Sequence, residues 1–385
     1  MIRYNDIAQA ATVRTGLECS QADLDRVLAA LMAGPTLWDA TGLAGRPFHL
    51  VAEIAALLEE QGLLAAGNSG VIRLTRTGKQ LCRARGLRPR RRYRCRPCGG
   101  RGISLNRLKQ PLERFRQLAA SRPDPVPEFD QAYVTPETTM ARLVLMADRG
   151  DLEGKDLLVL GDDDLMGLAA ALTGLPRRVT VLEIDPRLTN FMEKASRSEG
   201  ISLEIITHDL AKPLPPGVAS SFDAFFTDPP DAPGGMRLFL SRGIEALREA
   251  GTAGYFGLTV IESSLYRWRE LQRYLVLDCH VVITDVIADF STYVNWDYLG
   301  STVKLDQEGL FRPPQEEWYR SALYRLELLP GSRSCLDGLD EKGLYVGRES
   351  LAWARDMEVA PMLEEPQSTR PMTLQEVENI RRGDG

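Results

Sequence analysis

The chain reads as an α/β protein, a doubly wound sheet preceded by a smaller helical module with a β-wing. Three observations predict this. From Asp156 onward, short β-rich runs alternate with stretches of helical spacing, the pattern of a sheet wrapped by helices. The first run, Leu157–Leu160, meets Gly161 and leads into an Ala/Leu-rich helix at Leu168–Leu172, the layout of a nucleotide-binding loop. Residues 1–84 instead carry amphipathic helical stretches and a short strand after a glycine-rich turn.

Composition narrows the function classes. At 385 residues the chain should hold two or three domains. Hydrophobic content of 44% and charged content of 26% suit a globular chain in water. No apolar run approaches the roughly 20 residues needed to span a bilayer, and Met1–Ala8 lacks the apolar core of a signal peptide. A cytoplasmic location is therefore expected. Six cysteines in a chain this long do not read as a disulfide scaffold. A net charge of −6 gives no support for tight nucleic-acid binding and suits a cationic ligand. Arginine supplies nearly all the positive charge, as in GC-rich or thermophilic sources.

Residues 1–84 are expected to form a winged-helix-like domain. Gln21–Met32 places Leu24, Val27, Leu28 and Leu31 on one helical face, and Pro47–Gly62 is a second amphipathic helix. Gly67–Gly70 is a turn, Val71–Thr75 a wing strand, and a last helix starts at Thr75. The helix before the wing is poor in Arg and Lys, so docking or dimerisation is a better reading than DNA binding. Residues 85–128 form a basic linker and a connecting helix, Leu105–Ser121. The linker carries Cys95-x-x-Cys98, half of a zinc knuckle, with Cys82 as a candidate third ligand. A reduced thiol pair in a tight turn is the preferred reading.

The catalytic domain is placed at residues 129–360, with a polar, mobile tail at 361–385. Phe129–Met140 enters a helix through Thr135, with Pro136 in its first turn. Such a segment is positioned to cross the mouth of the next domain's site. Strands are expected at Leu157–Leu160, Arg178–Asp185, Ser202–Thr207, Phe222–Thr227, Gly254–Thr259 and from His280 to Ile287. Tyr319–Leu328 is expected to add an antiparallel strand. Ligands in this fold sit beyond the carboxyl ends of the strands. Those ends carry Asp162, Asp163 and Asp164, then Glu183 and Asp185, then Asp209, then Asp228 and Asp231. Three adjacent carboxylates repel one another unless a cation sits among them.

The spacing resembles the S-adenosylmethionine-dependent methyltransferase superfamily, with its Rossmann-type sheet. In that resemblance Gly161 and Asp162–Asp164 occupy the cofactor loop. Glu183, with Ile184 beside it, binds the ribose hydroxyls, and Asp209 with Leu210 reads the adenine. Asp228-Pro229-Pro230-Asp231 resembles the Asp-Pro-Pro-Tyr of amino-methyltransferases, where Asp and a prolyl carbonyl hold a target nitrogen. Two departures matter. Asp231 replaces the aromatic that would stack a nucleobase. The aspartates would repel the carboxylate of S-adenosylmethionine and attract the bare ammonium of its decarboxylated form.

Gly161-Asp-Asp-Asp164 with Asp228-Pro-Pro, behind a winged-helix-like domain, resembles the branched-chain polyamine synthases, the N4-bis(aminopropyl)spermidine synthases. The resemblance implies that two aminopropyl groups pass from decarboxylated S-adenosylmethionine to the central secondary amine of spermidine. No metal is required for that chemistry. Asp163, Asp164 and Asp228 are the implied catalytic residues, facing the cofactor ammonium and the attacking nitrogen. Asp231, Glu262, Asp289 and Asp297 are candidates for gripping distal ammonium groups. Tyr293, Trp296 and Tyr298 would pack against the polyamine. A homodimer or higher homo-oligomer is expected. The competing enzyme reading is an S-adenosylmethionine-dependent amino-methyltransferase acting on nucleic acid; it leaves the Asp triplet unexplained.

Overall fold

The computed structural model describes residues 4–336, apart from 35, 68–69, 92–94, 96, 127–128, 262, 296–313 and 315. The expected tail at 361–385 lies outside the described residues.

The chain begins with α1 (Tyr4–Thr15), α2 (Gln21–Leu31), α3 (Leu37–Ala44) and α4 (Phe48–Glu60). Local chemistry sets these boundaries. Ser20 and Asp23 make a reciprocal capping box at the start of α2, Thr36 caps α3, and Gly45 ends α3 in a left-handed conformation. The antiparallel ribbon β1 (Leu64–Ala66) and β2 (Ile72–Leu74) follows, then α5 (Arg76–Ala84), capped by Thr75. The two expected helices, the wing strand and the last helix are therefore present. The sequence pattern had not shown α1 and α3. The first is rich in Ala and Thr with little contrast between its faces, and the second is only 8 residues long.

After α6 (Lys109–Ala119), Thr135 caps α7 (Pro136–Asp148), with Pro136 in the first turn as expected. The main sheet is built from β3 (Asp156–Leu160), β4 (Arg178–Glu183), β5 (Glu204–Thr207), β6 (Ala224–Thr227), β7 (Ala253–Leu258), β8 (Val281–Thr292) and β9 (Arg320–Leu328). The helices between them are α8 (Met166–Thr173), α9 (Pro186–Glu199), α10 (Pro233–Ala246) and α11 (Leu265–Arg273).

The seven strands run in the order β5-β4-β3-β6-β7-β9-β8. Pairings from β5 across to β7 are parallel, and β9 is antiparallel to both of its neighbours. Strand alternation divides the interior into two layers. Leu157, Val159, Ala224 and Phe226 face the side covered by α6, α7, α8 and α9. Leu158, Leu160 and Phe225 face the side covered by α10 and α11. From β3 the chain steps first one way and then, at β6, the other. This switch point opens a crevice at the carboxyl ends of β3, β4 and β6.

Candidate active site at the carboxyl rim of the sheet

Gly161 turns the chain out of β3 with φ 65°. The three aspartates that follow have three different surroundings. Asp162 folds back over α8, and its carboxylate accepts the Met166 and Gly167 N–H groups. It is a buried cap for the helix start, not an open anionic wall. Its own N–H donates to Glu183 Oε2 at 2.6 Å.

Asp163 Oδ2 accepts the Ala132 N–H at 3.0 Å. Among the described residues it forms no ion pair. Burial raises its pKa well above the usual carboxylate range, reinforced by the Asp164, Asp228 and Glu183 carboxylates. The Arg122 guanidinium, 3.5 Å from the Tyr133 ring centroid, opposes that rise without reversing it. Asp164 takes the Val134 N–H on Oδ1 at 2.7 Å and the Arg142 guanidinium on Oδ2. The expected cover therefore exists. The backbone of 132–134 lies across the loop and supplies N–H donors to two of its carboxylates.

Arg142 is the residue that sequence reasoning missed. It projects from α7, is fully buried, and joins two rim acids. Nη1 binds Asp164, while Nη2 donates to Asp228 Oδ2 at 2.6 Å and to Ser291 Oγ at 3.0 Å. Burial alone would lower its pKa; the Asp228 and Asp164 carboxylates outweigh that and hold the charge on. Tyr293 O–H donates to the same Asp228 Oδ2 at 2.7 Å, and burial beside that carboxylate raises the phenol pKa. Gly257 on β7 makes room for the other oxygen: a Cβ there would lie 2.1 Å from Asp228 Oδ1.

A cavity of about 50 Å³ lies at this rim. Gly161, Asp162, Asp163, Glu183, Ile184, Leu210 and Asp228 line it, so seven expected residues converge. That volume is far below the roughly 300–1,000 Å³ typical of small-molecule sites. Phe129, Asp130 and Gln131 form one wall of it. Asp130, at φ 56°, accepts the Asp231 N–H at 3.1 Å. Burial, with Asp231 beside it, pushes Asp130 up to about 7. Asp130 was not among the expected site residues; its signal was its place two residues before Ala132, within the segment crossing the loop.

The remaining expectations resolve differently. Asp209 is not among the residues lining the cavity, and its Oδ1 accepts the Ala211 N–H in a local turn. Pro229 does not line the cavity either, although Pro230 does. Asp289 lines other cavities, together with Arg320. Glu262, Trp296, Asp297 and Tyr298 lie outside the described residues. Cys82 is buried in the core of the first helical module. Backbone N–H groups of Gly102 and Gly100 lower the Cys98 pKa, with Cys95 adding to the effect. Among the described residues no group of three or more His, Cys, Asp or Glu is placed to hold a metal ion.

The rim can therefore do two things. On one side a buried guanidinium and a phenol fix Asp228 with its Oδ1 toward a strand glycine. On the other, Asp163 keeps a carboxylate in need of a cation. The family model described as the branched-chain polyamine synthase A C-terminal domain matches residues 110–352. The chain belongs to the branched-chain polyamine synthase family. Relatives within it include the N(4)-bis(aminopropyl)spermidine synthase of Thermococcus kodakarensis, 44% identical over 90% of this chain and 99% of that protein. The Thermus thermophilus protein of the same name is 44% identical over 84% of this chain and 92% of its own length. A crystal structure of the branched-chain polyamine synthase from Thermus thermophilus matches with TM-score 0.79 and 39% identity, covering 90% of this chain and 97% of that one. That structure holds N4-aminopropylspermidine and 5′-methylthioadenosine.

Proposed function

We propose that the chain transfers aminopropyl groups from decarboxylated S-adenosylmethionine to the central secondary amine of spermidine. Two transfers give N4-bis(aminopropyl)spermidine, with methylthioadenosine released each time. One observation carries the reading. Members of the family named for this reaction match nearly the whole chain, and the rim presents a carboxylate without a guanidinium partner, Asp163, where a cofactor ammonium would lie.

In each transfer the nitrogen lone pair attacks the sulfonium-bound methylene in line. A C–N bond forms as the C–S bond breaks, and positive charge moves from sulfur to nitrogen. After the first transfer the new ammonium loses its proton to water and is a tertiary amine; after the second it is quaternary and has no proton to lose. Carboxylates beside the nitrogen stabilise the charge as it develops. Asp228 is the residue assigned to the attacking nitrogen, with the Pro229 carbonyl. An ordinary carboxylate is too weak a base to take a proton from an amine near pKa 10, so its work is to orient the nitrogen and stabilise charge. Gly161, Asp162 and Glu183 with Ile184 hold the nucleoside, and Leu210 lies against its base. Asp163 and Asp164 are assigned to the aminopropyl ammonium. Asp164 already holds a share of the Arg142 guanidinium, so Asp163 is assigned most of the selection against the carboxylated cofactor. The same reading takes the enzyme as cytoplasmic and homo-oligomeric.

The test supplies intact and decarboxylated cofactor together with spermidine and weighs the products. Aminopropyl additions to spermidine are expected. Methyl transfer without aminopropyl product would sink the reading.

A further inference from the structure

Tyr293, one residue beyond β8, and Val134, its bridge partner, reach the two ends of the Asp228–Arg142–Asp164 network. Their side chains belong to the hydrophobic core of the N-terminal helical module, together with Ile261 and Tyr319. The two parts are also joined through the backbone, where the Phe48 N–H at the start of α4 donates to the Ile261 carbonyl at 2.9 Å.

A run of rings leads from that module to the acid. Trp38 on α3 stacks on Phe48 at 4.7 Å between centroids and 21° between planes. Trp318 lies 4.2 Å from Trp38 and 5.7 Å from Phe48. Its edge meets Tyr319 at 5.5 Å, and Tyr319 meets Tyr293 edge-on at 4.9 Å and 85°. The Tyr293 hydroxyl then donates to Asp228. Edge-on and offset contacts fix ring orientation as well as burying area. The Tyr293 hydroxyl is at the far end of its ring, where it also lies 3.1 Å from Ser321 Oγ, so its place on Asp228 depends on the tilt of the ring that Tyr319 packs against.

We propose that the N-terminal module is a positioning wall of the active site. Trp38 and Phe48, acting through Trp318 and Tyr319, hold the Tyr293 hydroxyl on Asp228 Oδ2 and leave Oδ1 for the substrate nitrogen. Trp38 and Phe48 are positioning residues that touch no reacting atom. This gives the module a task within catalysis that needs no DNA. The proposal rests on the reaction assigned above.

The experiment is a double-mutant cycle on the full chain. Turnover of spermidine with the decarboxylated cofactor is measured first on the unaltered protein; its absence would fail the assigned reaction and not the wall. Trp38→Ala is then expected to lower kcat about tenfold, with the cofactor KM within about twofold, and Trp38→Phe to restore most of the loss. In a Tyr293→Phe background the same Trp38→Ala change is expected to alter kcat by less than about twofold, because the hydroxyl it positions is gone. Equal losses in both backgrounds would overturn the proposal. If Trp38→Ala loses its helical circular dichroism, Trp318→Leu is carried through the same cycle with the same two outcomes.

Discussion

Asp163 and Asp164 are neighbours in the chain, but their surroundings are opposite in charge. Asp164 is buried against a guanidinium that is shared with Asp228 and held by Ser291. Asp163, one residue earlier, has a single backbone N–H and three other carboxylates around it. The first is part of a closed network in which two carboxylates share one guanidinium. The second is a carboxyl without an ion pair among the described residues, whose ionised form is disfavoured until a cation sits beside it. A run of like residues is thus no guide to a shared task, because each step along a turn aims the side chain elsewhere. On the proposed reading the network fixes the rim and the unpaired carboxyl selects the cofactor.

The largest expected effect comes from breaking the network at its centre. Arg142→Ala leaves Asp164 and Asp228 buried without their cation. Losing one partner of a buried ion pair costs about 3–5 kcal/mol. Urea unfolding should show a loss of that size, together with loss of turnover. A change below about 1 kcal/mol would mean that the network is not the rigid half.

Next comes the pair that sets the comparison. Asp164→Asn removes a partner from Arg142 and should destabilise by about 3 kcal/mol. Asp163→Asn removes repulsion and should leave stability unchanged or raised. Its effect should fall on the cofactor: kcat/KM for the decarboxylated form drops about 10–100-fold, as for loss of a charged hydrogen bond. Affinity for intact S-adenosylmethionine should rise at the same time. Competition assays and calorimetry would read both, and equal destabilisation by the two variants would erase the distinction.

The smallest effect is a pH slope. Asp130 is raised to about 7, whereas an unfolded aspartate titrates near 3.9. Between about pH 4 and 7 the folded chain holds a proton here that the unfolded chain has lost. The contribution to stability therefore falls as pH rises through that window. Asp231 faces Asp130, and Arg267 adds positive charge near Asp231. Asp130→Asn should make the unfolding midpoint less dependent on pH between about 4 and 7. An unchanged slope would place the titration elsewhere.

Much of this was legible in the sequence. The strands carry period-two or continuous apolar runs, so β3 to β7 and the antiparallel β9 fall close to where the pattern places them. Gly161 and Asp228 are legible because fold topology fixes strand ends at one rim. Arg142 was not, because it sits in Thr138–Met146, where nearly every side chain is buried and the pattern reads as ordinary core. A charged residue on the buried face of an apolar helix was the available signal. The different fates of the Asp triplet were not legible either, since they depend on which backbone N–H each carboxylate meets. Nor was the local turn in which Asp209 accepts the Ala211 N–H.

The central claim is that an open carboxylate at this rim selects an ammonium-ended cofactor for transfer to a secondary amine. Mass analysis of one reaction containing spermidine and equal amounts of both cofactor forms tests it most directly. One and then two aminopropyl additions on the central nitrogen, and no methylated product, are expected. Methylated spermidine, or aminopropyl groups on a terminal nitrogen alone, would contradict it.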